Sequence, residues 1–334
     1  MNDDFDITTQ AELKRLTDQL ASARGVTSKT DIAATVAALG LSPETTGRPG
    51  DDCAALPDDN GGWTLFAGEG FIPGFVNADP WFAGWCGVMV NISDVLAMGG
   101  TPTAVVNAIW APDAKAAQPV LAGMAAAAQA YGVPIVGGHS NLGADELNLS
   151  VTILGHAKQL MTSFDAAPEE VLICAIDHRG AYRAPFDNWQ AALDAPHQRL
   201  RDDAALLARL AATGMVTACK DISQAGIPGT ALMLAECSGA GVEIDVASIP
   251  LPPDVPLAQW MRSFPSFGFL MTTTAENAAS VIQTFTDRDI CAAPIGRVTT
   301  GSKVTLSANG HSALFWDYRQ TPYMTLSPTE PAYA

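Results

Sequence analysis

Positive charge is scarce in this chain: 18 Lys and Arg stand against 35 Asp and Glu in 334 residues, a net charge of −17. A surface of that sign repels the phosphate backbone of nucleic acid and anionic lipid, so neither is expected as a partner. No apolar run comes near the roughly 18–20 residues that a membrane span requires. The six cysteines, Cys53, Cys86, Cys174, Cys219, Cys237 and Cys291, contain no CxxC pair and no Cys/His cluster of zinc-site spacing. They read as small core residues in a reducing compartment. The opening residues, Met1-Asn2-Asp3-Asp4-Phe5-Asp6, are acidic where a secretory leader is basic, and the expectation is a cytoplasmic protein. Only 16% of residues are charged and 48% are hydrophobic, which excludes a disordered chain and leaves room for two domains of ordinary size.

What the chain does have is a set of polar residues in fixed local settings: Gly50-Asp51-Asp52, Glu69 between Gly68 and Gly70, Asn91-Ile92-Ser93-Asp94, and Lys220-Asp221-Ile222-Ser223. Gathered carboxylates repel one another, so a fold tolerates them where a cation lies between them. Mg²⁺ is the usual answer, and because it keeps several waters and takes one or two carboxylates plus phosphate oxygens, such a cluster points to a nucleotide. Taken singly, Gly50-Asp51-Asp52 is a solvated turn and Asn91 to Asp94 the polar face of a helix. Gly137-Gly138-His139-Ser140 is by itself a tight turn after a buried strand. Their joint order and spacing carry the functional reading.

Local patterns place these motifs. Thr9-Gln10-Ala11-Glu12 has the form of a capping box ahead of Leu13, Leu16 and Leu20, with Gly25 as a stop. A second helix carries Ile32, Val36 and Leu39 inward and ends at Gly40. Residues 63–67 read as a strand that stops at Gly68-Glu69-Gly70. From Pro80 to Met98 the apolar positions recur at helical spacing, which puts Asn91 and Asp94 on one face. A strand at 104–110, an Ala-rich helix at 114–131, a strand at 133–136 leading into Gly137, and an alternating strand at 147–153 follow. The stretch 164–170, with Pro168, is the expected domain boundary. Beyond it, strands are expected at 171–176, 215–219, 241–245, 267–273 and 295–298, with helices near 200–212, 228–237 and 276–285. Asn309-Gly310 signals a hairpin turn. The fold class is α/β or α+β, divided into residues 1–160 and 165–334.

Together, Gly50-Asp51-Asp52-Cys53-Ala54-Ala55-Leu56, the run from Val90 to Pro102 containing Asn91-Ile92-Ser93-Asp94 and Ala97-Met98-Gly99-Gly100, Gly137-Gly138-His139-Ser140, and Asp221-Ile222-Ser223 resemble the aminoimidazole ribonucleotide (AIR) synthetase-like superfamily. That group includes thiamine-monophosphate kinase, selenophosphate synthetase, a hydrogenase maturation protein and formylglycinamidine synthase. The resemblance implies a PurM-like two-domain fold whose N-terminal mixed sheet pairs with a second subunit in a barrel-like dimer core, covered by a C-terminal α+β domain. It also implies ATP with Mg²⁺ as cofactors and a small-molecule substrate. Carried over to this sequence, Asp51, Asp52, Glu69, Asp94 and Asp221 are the expected metal ligands. Asp51, Asp52, Asn91, Asp94, Gly137, Gly138 and Arg179 are expected to bind nucleotide. Asp221, Lys220 and His139 are the candidate catalytic residues, with Lys220 and Arg179 as the scarce basic groups for phosphate or substrate and His139 as a candidate general base.

This sequence departs from each named activity. Thiamine-monophosphate kinases carry Gly-Gly-Asp where this chain has Gly137-Gly138-His139, Ser-Asp-Gly where it has Ser223-Gln224-Ala225, and a late acidic motif where it has Pro265-Ser266-Phe267-Gly268-Phe269. Selenophosphate synthetase needs a reactive cysteine or selenocysteine ahead of the first motif, and no cysteine precedes Cys53; the hydrogenase enzyme uses a C-terminal cysteine, where this sequence reads Pro331-Ala332-Tyr333-Ala334. With Ile176-Asp177-His178-Arg179-Gly180 and residues 266–270, the pattern is similar to the uncharacterised sll0787-type branch of AIR synthase-related proteins. The expected function is an ATP- and Mg²⁺-dependent enzyme that phosphorylates or activates a small metabolite. The alternatives are a thiamine-monophosphate kinase-like activity and a nucleotide-binding subunit without turnover.

Overall fold

A computed structural model describes residues 7–59 and 61–328. The helices in chain order are α1 (Gln10–Ala21), α2 (Arg24–Thr27), α3 (Asp31–Leu39), α4 (Pro73–Ala78), α5 (Pro80–Ala97), α6 (Ala114–Tyr131), α7 (His197–Ala211), α8 (Gly226–Ser238), α9 (Leu257–Met261) and α10 (Ala278–Thr286). The strands are β1 (Ala54–Pro57), β2 (Trp63–Gly70), β3 (Thr101–Ala111), β4 (Ile135–Leu142), β5 (Asn148–Ala157), β6 (Val171–Ile176), β7 (Ala181–Tyr182), β8 (Asn188–Gln190), β9 (Val216–Asp221), β10 (Gly241–Asp245), β11 (Phe264–Pro265), β12 (Gly268–Thr273), β13 (Cys291–Thr299), β14 (Lys303–Ala308) and β15 (His311–Asp317). Among the described residues no helix is long and apolar enough to cross a membrane.

The chain divides into two compact units, and the division is not a single cut. The smaller unit holds residues 52–160 and also 194–212, which contain α7; the larger holds the described residues up to 51, 161–193 and those from 213 onward. Residues 7–51 therefore pack with the C-terminal half rather than with residues 52–160. The cause is α1: its capping box closes as expected, and Leu13, Leu16 and Leu20 are 0–1% exposed. Each such burial contributes about 1.5–3 kcal/mol, and the apolar surface that receives them belongs to β14 and β15.

In the smaller unit a mixed sheet runs β1-β2-β5-β3-β4, with only β3 and β4 parallel, and it is open at both edges. Helix α5 lies on one face of this sheet and α6 packs on α5. The two helices approach through glycine: a Cβ on Gly84 would lie 2.0 Å from the Val120 carbonyl oxygen, and one on Gly123 would lie 1.9 Å from that of Trp81. Arg201 of α7 donates to the carbonyls of Gln129 and Ala130 at 2.6 and 3.1 Å, satisfying groups that the C-terminus of α6 leaves open. The opposite face of the sheet exposes Phe66 (52%), Val106 (39%), Trp110 (37%) and Leu154 (41%). The register puts Phe66 directly opposite Leu154, and Val106 opposite Thr152, so all four share that face.

In the larger unit a seven-stranded sheet runs β15-β14-β10-β13-β6-β12-β9, and a short sheet runs β11-β8-β7. Helix α8 is buried along its whole length, and Asn309 and Gly310 close the β14–β15 hairpin with positive φ at both positions. Three local expectations fail. Gly25 lies inside α2, where its missing side chain admits the Gln224 carbonyl, and Leu39 is 68% exposed. Gly137-Gly138-His139-Ser140 is not a turn but the interior of β4, because pairing with β3 continues through it, while Gly68-Glu69-Gly70 forms the paired last three residues of β2 and leaves Glu69 near the strand end.

Candidate metal and nucleotide site

Asp52 and Asp94 come together in the smaller unit. Asp52 follows the Gly50-Asp51 turn and is half-buried, while Asp94 sits in the last turns of α5 at 7% exposure. Each offers a carboxylate oxygen within 4.8 Å of the other. Two like charges at that spacing repel unless a cation or proton separates them. One turn earlier on the same face of α5, Asn91 is fully buried; its Nδ2 donates to the Gly87 carbonyl at 2.8 Å, and its Oδ1 has no hydrogen-bond partner among the described residues. A buried amide oxygen without a partner, one helical turn before Asp94, and the two carboxylates are hard-oxygen donors, which fit Mg²⁺ in kind.

Asp51 is held by Ser163. Both of its oxygens accept the Ser163 N–H, at 3.2 and 3.1 Å, and the Ser163 hydroxyl donates to Oδ1 at 2.6 Å. Ser163 is itself held, because the Ser238 hydroxyl donates to its carbonyl at 2.8 Å. Hydrogen bonds to an ionised carboxylate are about twice as strong as neutral ones, so Asp51 anchors the turn that presents Asp52. Sequence reasoning missed Ser163, for which no local signal exists at a separation of 112 residues.

Glu69 is exposed on β2, on the α5 side of the sheet, and does not join the Asp52 and Asp94 spacing among the described residues. Gly137, Gly138 and His139 are exposed on the edge strand β4. His139 pairs with Ala108, which puts it on the face that carries Val106 and Trp110, away from α5 and Asp94.

In the larger unit, Lys220 and Asp221 end β9 and are 4% and 6% exposed. As neighbours on one strand they point to opposite faces. The Lys220 ammonium lies 3.5 Å from the Gly50 carbonyl oxygen. Just beyond the strand, the Ser223 hydroxyl is buried without a partner among the described residues. Arg179 forms a forked pair with buried Asp177, Nε to Oδ1 at 2.8 Å and Nη2 to Oδ2 at 3.2 Å, and donates to the Arg288 carbonyl at 3.0 Å. Beside it, burial pushes the His178 imidazole below its usual range, offset in part by the Asp177 charge, and its ring stands edge-on to Trp260 at 5.1 Å.

An open mixed sheet layered by helices, with paired carboxylates on its helical side, together with a seven-stranded α+β unit, defines a PurM-like two-domain fold. The chain matches "AIR synthase related protein, N-terminal domain" over residues 50–157 and "AIR synthase related protein, C-terminal domain" over residues 185–309. It is 44% identical over 277 residues to "Uncharacterized protein sll0787" of Synechocystis sp., covering 82% of this chain and 85% of that protein. It is 27% identical over 277 residues to the thiamine-monophosphate kinase of Pyrococcus horikoshii, covering 76% of this chain and 86% of the kinase. Among solved structures, T. maritima PurL complexed with ATP superposes with a TM-score of 0.69 at 17% identity, covering 83% of this chain and 47% of that one. The chain thus spans about half the length of PurL, and the likeness there is one of fold. The protein belongs to the AIR synthase related family.

Proposed function

We propose that this protein is an ATP- and Mg²⁺-dependent enzyme that phosphorylates or otherwise activates an oxygen of a small metabolite. The observation that carries the reading is the Asp52 and Asp94 pair, with the unpaired Asn91 oxygen one turn before Asp94 on the same helix. Asp52 and Asp94 would hold Mg²⁺, whose charge would neutralise the phosphates of the nucleotide. Asp51 fixes the turn, and Glu69, near the end of β2, is a further acidic candidate for the metal. Lys220 and Arg179 are the basic groups for phosphate or substrate, with Arg179 oriented by Asp177. Phosphoryl transfer asks little more of a protein than positioning and charge neutralisation, so no nucleophilic triad is needed. The ATP in the PurL complex and the kinase activity in the name of the P. horikoshii relative support the nucleotide.

The same proposal gives the exposed face of the smaller sheet to a second copy of the chain. Phe66, Val106, Trp110 and Leu154 make it apolar, a composition that marks an interaction surface. His139 lies on that face and so belongs to the interface in this reading.

The test is calorimetric titration of ATP into wild type and Asp52→Asn, each with Mg²⁺ and with a chelator. Binding that requires both Mg²⁺ and Asp52 is the expected result; wild type that is folded and binds no nucleotide would end the reading. ATP consumption in a metabolite screen then separates an enzyme from a nucleotide-binding subunit without turnover.

A further inference from the structure

After the last strand the chain threads through the larger unit and reaches the turn that carries Asp51. Glu236, on α8, is 1% exposed, and its carboxylate accepts three backbone N–H groups from one short stretch. These are Tyr323 at 3.4 Å, Met324 at 2.7 Å and Thr325 at 3.1 Å. Thr325 has φ 63, and consecutive N–H groups that converge in this way form a backbone nest around an anion. Tyr323 is fully buried, and its hydroxyl donates to the Val26 carbonyl at 2.9 Å.

The next residue on α8, Cys237, donates its thiol to the Gly50 carbonyl at 3.4 Å, the same oxygen that Lys220 reaches at 3.5 Å. Gly50 has φ 115, and a Cβ built on it would lie 3.1 Å from both Cys237 Sγ and Leu326 Cδ1. Leu326 is 2% exposed. Adjacent residues of one helix thus grip the two partners: Glu236 takes the strap, Cys237 takes the turn, and Leu326 closes the strap against the turn.

We propose that residues 323–326, latched by Glu236, are a strap that positions the Gly50-Asp51-Asp52 turn, so that Leu326 and Glu236 set the metal affinity of the site without touching the metal. The proposal rests on the metal reading above. Mg²⁺ and Mn²⁺ demand near-octahedral oxygen geometry, and displacement of a positioned group by about 1 Å costs one to two orders of magnitude in what it does. Ser163 holds the turn from the side chain of Asp51, and the strap holds it from the backbone of Gly50.

The experiment compares full-length wild type with Leu326→Ala, Leu326→Met and Glu236→Gln by two readouts, Mn²⁺ titration and hydrogen exchange of the peptide spanning residues 48–56. Leu326→Ala and Glu236→Gln should weaken Mn²⁺ binding about tenfold and speed exchange at 48–56 while exchange in β12 is unchanged. Leu326→Met, which refills the space, should restore both. A folded Leu326→Ala protein with wild-type Mn²⁺ affinity and wild-type exchange at 48–56 would overturn the strap. If wild type binds no Mn²⁺, the metal reading fails, and the exchange data alone decide whether the strap holds the turn. If Leu326→Ala does not fold, Leu326→Val carries the same comparison with a smaller deletion.

Discussion

Replacing Asp94 by Asn should stabilise the metal-free protein and destabilise the metal-loaded one relative to wild type. The Asp52 and Asp94 oxygens lie within 4.8 Å of each other. Two unit charges at that distance repel by about 0.9 kcal/mol at a dielectric of ~80 and about 3.5 kcal/mol at ~20. Asp94 is 7% exposed while Asp52 is half-buried, so the effective value lies between these limits. With a chelator present, Asp94→Asn should therefore gain about 1–3 kcal/mol, at roughly 2–4 °C of melting temperature per kcal/mol for a domain of this size. With Mg²⁺ the order inverts: wild type gains about 2.7 kcal/mol when the metal is a hundredfold above its Kd, and the variant gains little. Differential scanning calorimetry in chelator and in saturating MgCl₂ reads both halves. A variant that melts below wild type in chelator, or that responds to Mg²⁺ as wild type does, would refute the reasoning.

Gly84→Ala drives a methyl group to within 2.0 Å of the Val120 carbonyl and must part α5 from α6, at a cost of about 1–3 kcal/mol in denaturant unfolding. Gly74→Ala, with open space around it, is the matched control, and equal effects at the two sites would sink the packing account. Phe66→Glu puts a charge on the exposed sheet face and should turn a dimer into a monomer in sedimentation velocity; a dimer that survives both it and Trp110→Glu would place the interface elsewhere. Burial holds the His178 imidazole below its usual range, so below the unfolded value of 6.5 the unfolded chain takes the proton first, and stability contributed by the neutral ring is lost as pH falls. His178→Phe keeps a ring on Trp260 and should lose less stability than wild type between pH 7.5 and 5.5. Identical losses in chemical denaturation would remove His178 from the acid response.

Much of the smaller unit was legible because its elements carry their own punctuation. Helix α6 runs over the residues expected from its Ala-rich pattern, with the Asp113 side chain capping one end and Gly132 in the left-handed region at the other. Helix α5 likewise begins at Asp79-Pro80 and stops before Gly99, which puts Asn91 and Asp94 on one face as their spacing required. Legibility fails where pairing partners are remote. Gly137-Gly138-His139-Ser140 has the composition of a turn, yet pairing with Val106 to Ile109 of β3 holds it extended. The placement of α1 depends on a surface near residue 312, where Gln10 donates to the Ser312 carbonyl across a separation of 302 residues. Of the candidate site, motif order grouped Asp52 with Asp94, whose carboxylate oxygens lie within 4.8 Å of each other. It did not reveal that Asp51 serves Ser163 or that Arg179 is already held by Asp177, because both depend on where unrelated segments end.

The grouping of α1 with strands near the far end of the chain also sets a schedule for synthesis. Leu13, Leu16 and Leu20 leave the ribosome roughly 300 residues before β15, against which α1 packs. At about 5–20 residues per second the wait is on the order of 15–60 s. The smaller unit has its own delay, since α7 arrives only after 161–193 have been made. During that interval the leucine stripe of α1 has no native surface of β14 and β15 to cover it.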